Sequence, residues 1–93
     1  MTINILGVTH KVIEKTIPTE PFFMGKWIEH TQEIWVNSDL MDDVRSLTMW
    51  HEAVHALLFA IGEPELSSNE GFVEKLSRAL FQTATLRIDK VVD

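Results

Sequence analysis

The chain has no cysteine and no tyrosine among its 93 residues. Without cysteine it can form neither a disulfide framework nor a thiolate metal site, so any bound metal ion must be held by histidine, aspartate or glutamate. Without tyrosine it has no phenol group to stabilise an oxyanion. The search for a metal site is therefore restricted to its 4 histidines and 14 acidic residues.

Basic residues are also scarce. The 8 lysines and arginines against 14 acidic residues give a formal net charge of -6, which argues against binding to the phosphate backbone of nucleic acids. The sequence begins without the basic segment and apolar run of a signal peptide, and its longest apolar run, around residues 56–61, is too short to cross a membrane. We therefore expect a cytoplasmic protein with no nucleic-acid partner and no membrane partner.

The composition predicts one small α+β domain. With 45% hydrophobic residues, the chain can bury a modest core without cross-links. β-Branched residues in segment 3–14, interrupted by Gly7, predict one bent strand or two short ones. Residues 16–25 are typical of a loop, and residues 27–31 and 33–36 predict a hairpin. We expect these strands to form a small, mostly antiparallel sheet.

A helix is predicted to follow the hairpin. It begins at Ser38 or Asp39 and ends at Ile61, just before Gly62 and Pro64, which are residue types that stop helices. The second half of this helix is apolar nearly all round. It is therefore expected to lie between the sheet and another helix.

The other helix is predicted to begin at Ser67 or Ser68 and to end near Leu86. Its apolar stripe consists of Val73, Leu76, Leu80 and Ala84, with Lys75, Arg78 and Gln82 on the opposite side. For residues 87–93 the sequence leaves two alternatives open, a last strand or a loose end.

The HExxH motif at residues 51–55 indicates a specific chemistry. On a helix, His51 and His55 project from one face on successive turns, so both imidazoles can bind one ion. Neutral imidazole suits zinc, and zinc lowers the pKa of a bound water to about 7. Glu52 lies beside the metal, where it can take the proton of that water as the water attacks a carbonyl. The motif therefore predicts Zn²⁺ as the cofactor and Glu52 as a catalytic general base.

A catalytic zinc usually has three protein ligands, so a third ligand is needed. An extended HExxHxxGxxH pattern is excluded, because the required positions hold Leu58 and Ile61. Two glutamates of the second helix remain. Glu70 is favoured because it lies at the edge of the apolar stripe, whereas Glu74 is favoured because it comes level with His55 along an antiparallel helix. The residues leave this choice open.

Each glutamate also has an ordinary structural explanation. Glu70 ends an S-x-x-E sequence that begins at Ser67, which is the pattern of a capping box. Glu74 is spaced to pair with Arg78 on a solvated helix face.

Taken together, these features resemble the ImmA/IrrE-like zinc metallopeptidases, especially their very small phage-encoded relatives, within the wider gluzincin group. The resemblance covers about residues 3–84, and only its HExxH segment is specific by itself. The segments that carry it are residues 3–7, Gly25 with the hairpin that ends at residues 33–36, residues 47–57, and residues 69–74 before Leu76. In such proteins a glutamate opening an E-x-x-[AV]-[DEN] segment is the third ligand. It corresponds here to Glu70, and Glu74 falls where a carboxylate often orients a ligand histidine.

The resemblance therefore implies a single minimal zinc metallopeptidase domain over residues 1–93. Its zinc ligands would be His51, His55 and Glu70, with Glu52 activating water for hydrolysis of a peptide or protein substrate. The substrate is expected to pair with an exposed strand edge such as residues 33–36. The residues indicate no particular oligomeric state.

Two features depart from an active peptidase. Gluzincins often stabilise the oxyanion with tyrosine or histidine, and the donors that this chain offers are His10, His30 and Arg45, each of which is also typical of an ordinary surface or strand residue. The short chain also leaves little material for the wall of a cleft. The alternative is a non-catalytic, zinc-stabilised protein-binding module, such as a phage regulatory or host-interaction factor. A third possibility is a metal-free α+β domain whose histidines are accidental.

Overall fold

The computed structural model describes the backbone of residues 1–92 and the side chains of residues 1–83. Its elements are β1 (Thr2–Ile5), β2 (Val8–Lys15), β3 (Gly25–Ile28), β4 (Glu33–Asn37), α1 (Asp42–Ala60), α2 (Pro64–Ser67) and α3 (Glu70–Val92). The α+β class expected from the sequence is confirmed. None of the helices in the described part of the chain is both long enough and apolar enough to cross a membrane.

The four strands form one mixed sheet in the order β1-β2-β4-β3. β1 pairs with β2 and β3 pairs with β4 in antiparallel fashion, whereas β2 and β4 run parallel. The predicted break at Gly7 is the turn between β1 and β2, where the φ of +88° is one that glycine adopts readily. The predicted hairpin is the β3–β4 pair.

The expectation that residues 33–36 form an exposed strand edge is wrong. These residues belong to β4, which has β2 on one side and β3 on the other, so its backbone cannot accept a further strand. Ile34 and Val36 are 0% and 2% exposed, which explains why this strand occupies the middle of the sheet. The free edges of the sheet are β1 and β3.

The start of α1 also differs from the prediction. The helix begins at Asp42, and its N-cap residue Met41 makes no side-chain hydrogen bond to it. Neither of the predicted N-cap residues, Ser38 and Asp39, caps the helix. Both belong to a turn before it, in which the Asp39 amide donates to Asn37 Oδ1 at 2.8 Å.

The predicted end of α1 is close to the observed one. The amides of Ile61 and Gly62 donate to the carbonyls of Leu57 and Phe59, and the φ of Gly62 is +84°. Pro64 then opens α2, in the first turn of a helix, where proline is well tolerated.

Two clusters of buried hydrophobic side chains meet on α1. The first cluster joins it to the sheet and contains Ile5, Ile34, Val36 and Ala56. The second cluster joins it to α3 and contains Val54, Leu58 and Val73. Residues 54 and 56 of α1 thus face different neighbours, so each of them holds one side of the helix in place.

The start of α3 corrects another prediction. Asn69 provides the cap, because its Oδ1 accepts a hydrogen bond from the Phe72 amide at 3.0 Å. Ser67 belongs to α2 and donates its hydroxyl to the His55 carbonyl at 2.8 Å, so the alternative explanation of Glu70 as part of a capping box with Ser67 does not hold.

The apolar stripe of α3 is observed as far as side chains are described. Val73 is fully buried, and Leu76 and Leu80 pack against the second cluster. The side chain of Ala84 lies outside the described residues. α3 extends to Val92, so residues 87–92 continue the helix instead of forming a strand or a loose end, and Asp93 lies outside the described backbone.

Candidate metal centre

The HExxH residues occupy the middle of α1, and their spacing brings the two imidazoles together. The ring centroids of His51 and His55 are 5.0 Å apart, with the rings at 66° to each other. The two side chains are 17% and 14% exposed, so both rings are largely buried but still in contact with solvent.

Glu70 lies opposite both rings. It is the first residue of α3, and its carboxylate oxygens are 3.1 Å from His51 Nε2 and 3.0 Å from His55 Nε2. The potential ligand atoms of these three residues all lie within 4.8 Å of one another. The carboxylate is on the open side of the site, since its side chain is 70% exposed.

The other nitrogen of each ring is also bonded. His51 Nδ1 is 2.9 Å from Glu74 Oε2, and His55 Nδ1 is 2.5 Å from the Ser67 carbonyl oxygen. A carboxylate and a carbonyl oxygen can only accept, so each neutral ring donates to them when its proton is on Nδ1. Both Nε2 lone pairs are then directed towards the Glu70 carboxylate.

The resulting donor set is suitable for zinc. In that tautomer the two Nε2 nitrogens and the Glu70 oxygens all carry lone pairs, and either a shared proton or a metal cation between them would relieve their repulsion. Nitrogen and oxygen ligands of this kind form the three-ligand site of many catalytic zinc ions. The geometry favours Glu70 as the third ligand, and the zinc site itself stays a prediction.

Glu74 contacts the candidate metal centre from the outside, through His51. Burial raises the pKa of this carboxyl. The hydrogen bonds from Arg78 and His51 and the charges of both groups lower the pKa by a larger amount, so it lies below its usual range. An ionised Glu74 that accepts from Nδ1 orients the ring of His51 and makes its Nε2 a stronger donor to a metal.

Glu52 lies between the histidines and the sheet. Burial raises the pKa of its carboxyl above the usual range, and the negative charge of Glu70 acts in the same direction. His55 and His51 lower the pKa, as does a hydrogen bond from the backbone amide of Trp27. Glu52 is therefore held by the edge strand β3, close to both rings but bonded to neither.

Gly25 allows β3 to come this close to α1. A Cβ atom at this position would lie 2.6 Å from Thr48 Cγ2 and 3.2 Å from Glu52 Cγ. Contacts that short do not occur between real side chains without displacement, so only glycine fits here. The edge strand and the general-base candidate are thereby in van der Waals contact.

A cleft of about 380 Å³ opens beside these residues, between β3 and α3. It is lined by Met24, Gly25, Val44, Leu47, Thr48, His51, Glu52, Glu74 and Arg78. The sequence predicts Arg78 on a solvated helix face, without a role in the site. The available signal was its spacing from Glu74, because four residues on a helix place the two side chains side by side.

The three candidate oxyanion donors lie elsewhere. His10 is 6% exposed in the sheet, with Nδ1 3.2 Å from the Val8 carbonyl. Arg45 forms ion pairs with Glu14 and Asp42, and His30 is exposed in the turn between β3 and β4. None of the three lines the cleft, which agrees with the explanation of each as an ordinary surface or strand residue.

Comparison of the chain with protein-family models, with curated proteins and with solved structures finds no match. The assignment of a function therefore rests on the residues of this chain and their geometry.

Proposed function

We propose that the protein is a small zinc-dependent metallopeptidase in which Glu52 is the general base. The observation that supports this most directly is the convergence of His51, His55 and Glu70, with Glu52 next to the first of them on the same helix. The fold would be a minimal zincin, in which the sheet covers one side of the HExxH helix and the helix with the third ligand covers the other.

The zinc ion would be held by the Nε2 atoms of His51 and His55 and by the Glu70 carboxylate. When bound, zinc lowers the pKa of a coordinated water to about 7 and polarises a substrate carbonyl. Glu74 and the Ser67 carbonyl keep the two imidazoles in the tautomer that leaves Nε2 available.

Glu52 would move the proton. Its carboxylate takes a proton from the attacking water and delivers it to the nitrogen of the departing amine, as a general base that then acts as a general acid. Its largely buried position supports this role, because burial raises the pKa and makes the carboxylate a better proton acceptor. The hydrogen bond from the Trp27 amide orients the Glu52 carboxylate before substrate binds.

The edge strand β3 would bind the substrate backbone. The Asn37 amide donates to the Met24 carbonyl at 2.8 Å, so the alternation of an antiparallel pair directs the backbone groups of Gly25 and Trp27 away from β4. These groups lie on the edge that borders Glu52. The Trp27 amide already donates to the Glu52 carboxylate, so the Gly25 groups and the Trp27 carbonyl remain for a substrate. An extended peptide can pair with such an edge, which brings its carbonyl groups past the metal centre.

Replacement of Glu52 by Gln tests the proposal. The wild-type protein, loaded with one zinc, should cleave a mixture of random peptides, as followed by mass spectrometry of the products. Glu52→Gln should keep its zinc and lose cleavage by about 100-fold to 10,000-fold, the usual contribution of a general base. The exposed Glu65→Gln is the matched control. Undiminished cleavage by Glu52→Gln would reject the mechanism.

A non-catalytic zinc-stabilised binding module is the second candidate. It is favoured by one observation, that none of the candidate oxyanion donors named from the sequence lines the cleft. The same variant separates the two functions. A module needs zinc for its stability but not Glu52, so its partner binding should be the same in the wild type and in Glu52→Gln.

A further inference from the structure

Arg78 is the cationic side chain among the residues that line the cleft. It lies on α3, two turns after Glu70 and one turn after Glu74. Its Nε donates to Glu74 Oε1 at 2.6 Å, and its side chain is 65% exposed. The bond to Glu74 uses Nε, so the terminal Nη groups of the planar guanidinium fork remain for a ligand.

The helix sets the distance between this group and the reacting centre. Because Arg78 reaches back to Glu74, its guanidinium lies roughly 6 Å along α3 from Glu70, the rise of four helical residues. An extended peptide advances about 3.3 Å per residue. For a peptide on the β3 edge whose path follows α3, the guanidinium lies opposite a group one or two residues away from the bond that would be cleaved.

The charges of the site allow an anion to bind there. With zinc bound, the double charge of the metal and the single charge of Arg78 balance the three carboxylates around the cleft, those of Glu52, Glu70 and Glu74. Without Arg78 the same site would carry a net negative charge and would repel a carboxylate. Met24, Val44 and Leu47 form an apolar wall of the cleft, and among its polar side chains Arg78 is the one that carries a permanent positive charge.

We propose that Arg78 forms a carboxylate-binding subsite, so that the cleft accepts peptides with a carboxylate one or two residues from the scissile bond. This carboxylate is either the C-terminal group of a short peptide or the side chain of an aspartate or glutamate. A guanidinium fork binds such a group with two parallel hydrogen bonds. The assignment of that peptide as a substrate rests on the proposed peptidase function, whereas the binding of the carboxylate does not require turnover.

Binding to the zinc-loaded Glu52→Gln protein tests the subsite without cleavage. Three pools of acetylated hexapeptides are titrated by calorimetry: neutral peptides with a free C-terminal carboxylate, the same peptides as C-terminal amides, and the amides with one internal glutamate. A charge-assisted hydrogen bond should make one carboxylate pool bind about tenfold more tightly than the neutral amides. The pool that gains identifies the source of the carboxylate.

Replacement of Arg78 in the same background provides the comparison. Arg78→Gln should abolish the preference while zinc content stays at one per chain, and Arg78→Lys should keep part of it. Lys75→Gln, an exposed cation on the same helix outside the cleft, should leave the preference intact. If Arg78 only positions Glu74, Arg78→Gln will instead weaken zinc binding and affect all three pools equally, which overturns the subsite.

The two proposals fail in different ways. A carboxylate preference that depends on Arg78, in a protein whose wild type cleaves no peptide, supports the subsite and rejects the peptidase. Cleavage of neutral amides as fast as of carboxylate peptides, equal binding of all pools, or binding of none of them, overturns the subsite.

Discussion

His55 and Ser67 are joined by two hydrogen bonds that run in opposite directions. His55 Nδ1 donates to the Ser67 carbonyl at 2.5 Å, and Ser67 Oγ donates to the His55 carbonyl at 2.8 Å. Ser67 ends α2 and lies three residues before Glu70. The pair therefore links the orientation of the His55 ring to the position of the segment that leads to Glu70.

Ser67→Ala should break half of this connection. The variant keeps the backbone acceptor of His55 but loses the hydroxyl, which is buried with its residue only 6% exposed. We expect a loss of about 1 kcal/mol in the free energy of unfolding and a small decrease in zinc affinity. Urea denaturation and a competitive zinc titration measure both. The exposed Ser68→Ala should change neither, and an equal effect of the two variants would contradict the prediction.

Removal of the metal should reduce stability strongly. Elemental analysis of the purified protein should give one zinc per chain, and a ligand present at 1,000 times its dissociation constant stabilises by about 4 kcal/mol. A strong chelator should therefore lower the melting temperature by roughly 15 °C or more in a domain of this size. Scanning calorimetry before and after chelation measures the shift.

Ligand variants complete the metal experiment. Glu70→Ala and His55→Ala should contain less zinc and should respond little to chelator, whereas His30→Ala, in an exposed turn, should behave like the wild type. A protein without zinc, whose melting is unaffected by chelator and by added zinc, would show that the two histidines are accidental.

Glu74 should affect zinc affinity without being a ligand. Glu74→Ala removes the carboxylate that accepts from His51 Nδ1, and loss of such a partner typically weakens metal binding about 10-fold to 100-fold. Glu74→Gln retains an acceptor and should lie between this variant and the wild type. If Glu74→Ala lost zinc as completely as Glu70→Ala, the two glutamates would have to exchange roles.

Gly25→Ala should disturb the contact between β3 and Glu52. Its Cβ would lie 2.6 Å from Thr48 Cγ2, so the strand and the helix must separate, at a cost of about 1 to 3 kcal/mol in stability. Cleavage should fall by more than zinc affinity, because the strand borders the general base. Gly71→Ala is the matched control. Its Cβ would meet Asn69 Oδ1 at 3.6 Å, an ordinary contact, and alanine is the better helix former.

The geometry of the site was only partly predictable. The spacing of His51 and His55 predicts that both rings project from one face, because the helical period depends on the backbone alone. The choice between Glu70 and Glu74 depends on how α3 lies against α1. The short α2 was not predicted. It brings Glu70 level with the rings along α1, so the glutamate at the edge of the apolar stripe is also the one at the right height.

The sequence by itself determined local features: the α+β class, the break at Gly7, the end of α1 near Gly62 and the pairing of two imidazoles on one face of the HExxH helix. Each depends on the backbone preferences or side-chain chemistry of neighbouring residues. The tertiary structure alone decided that β4 lies inside the sheet, that β3 is the edge beside Glu52, and that Arg78 lines the cleft. These relationships depend on which buried faces pack together, and packing joins residues that are distant along the chain.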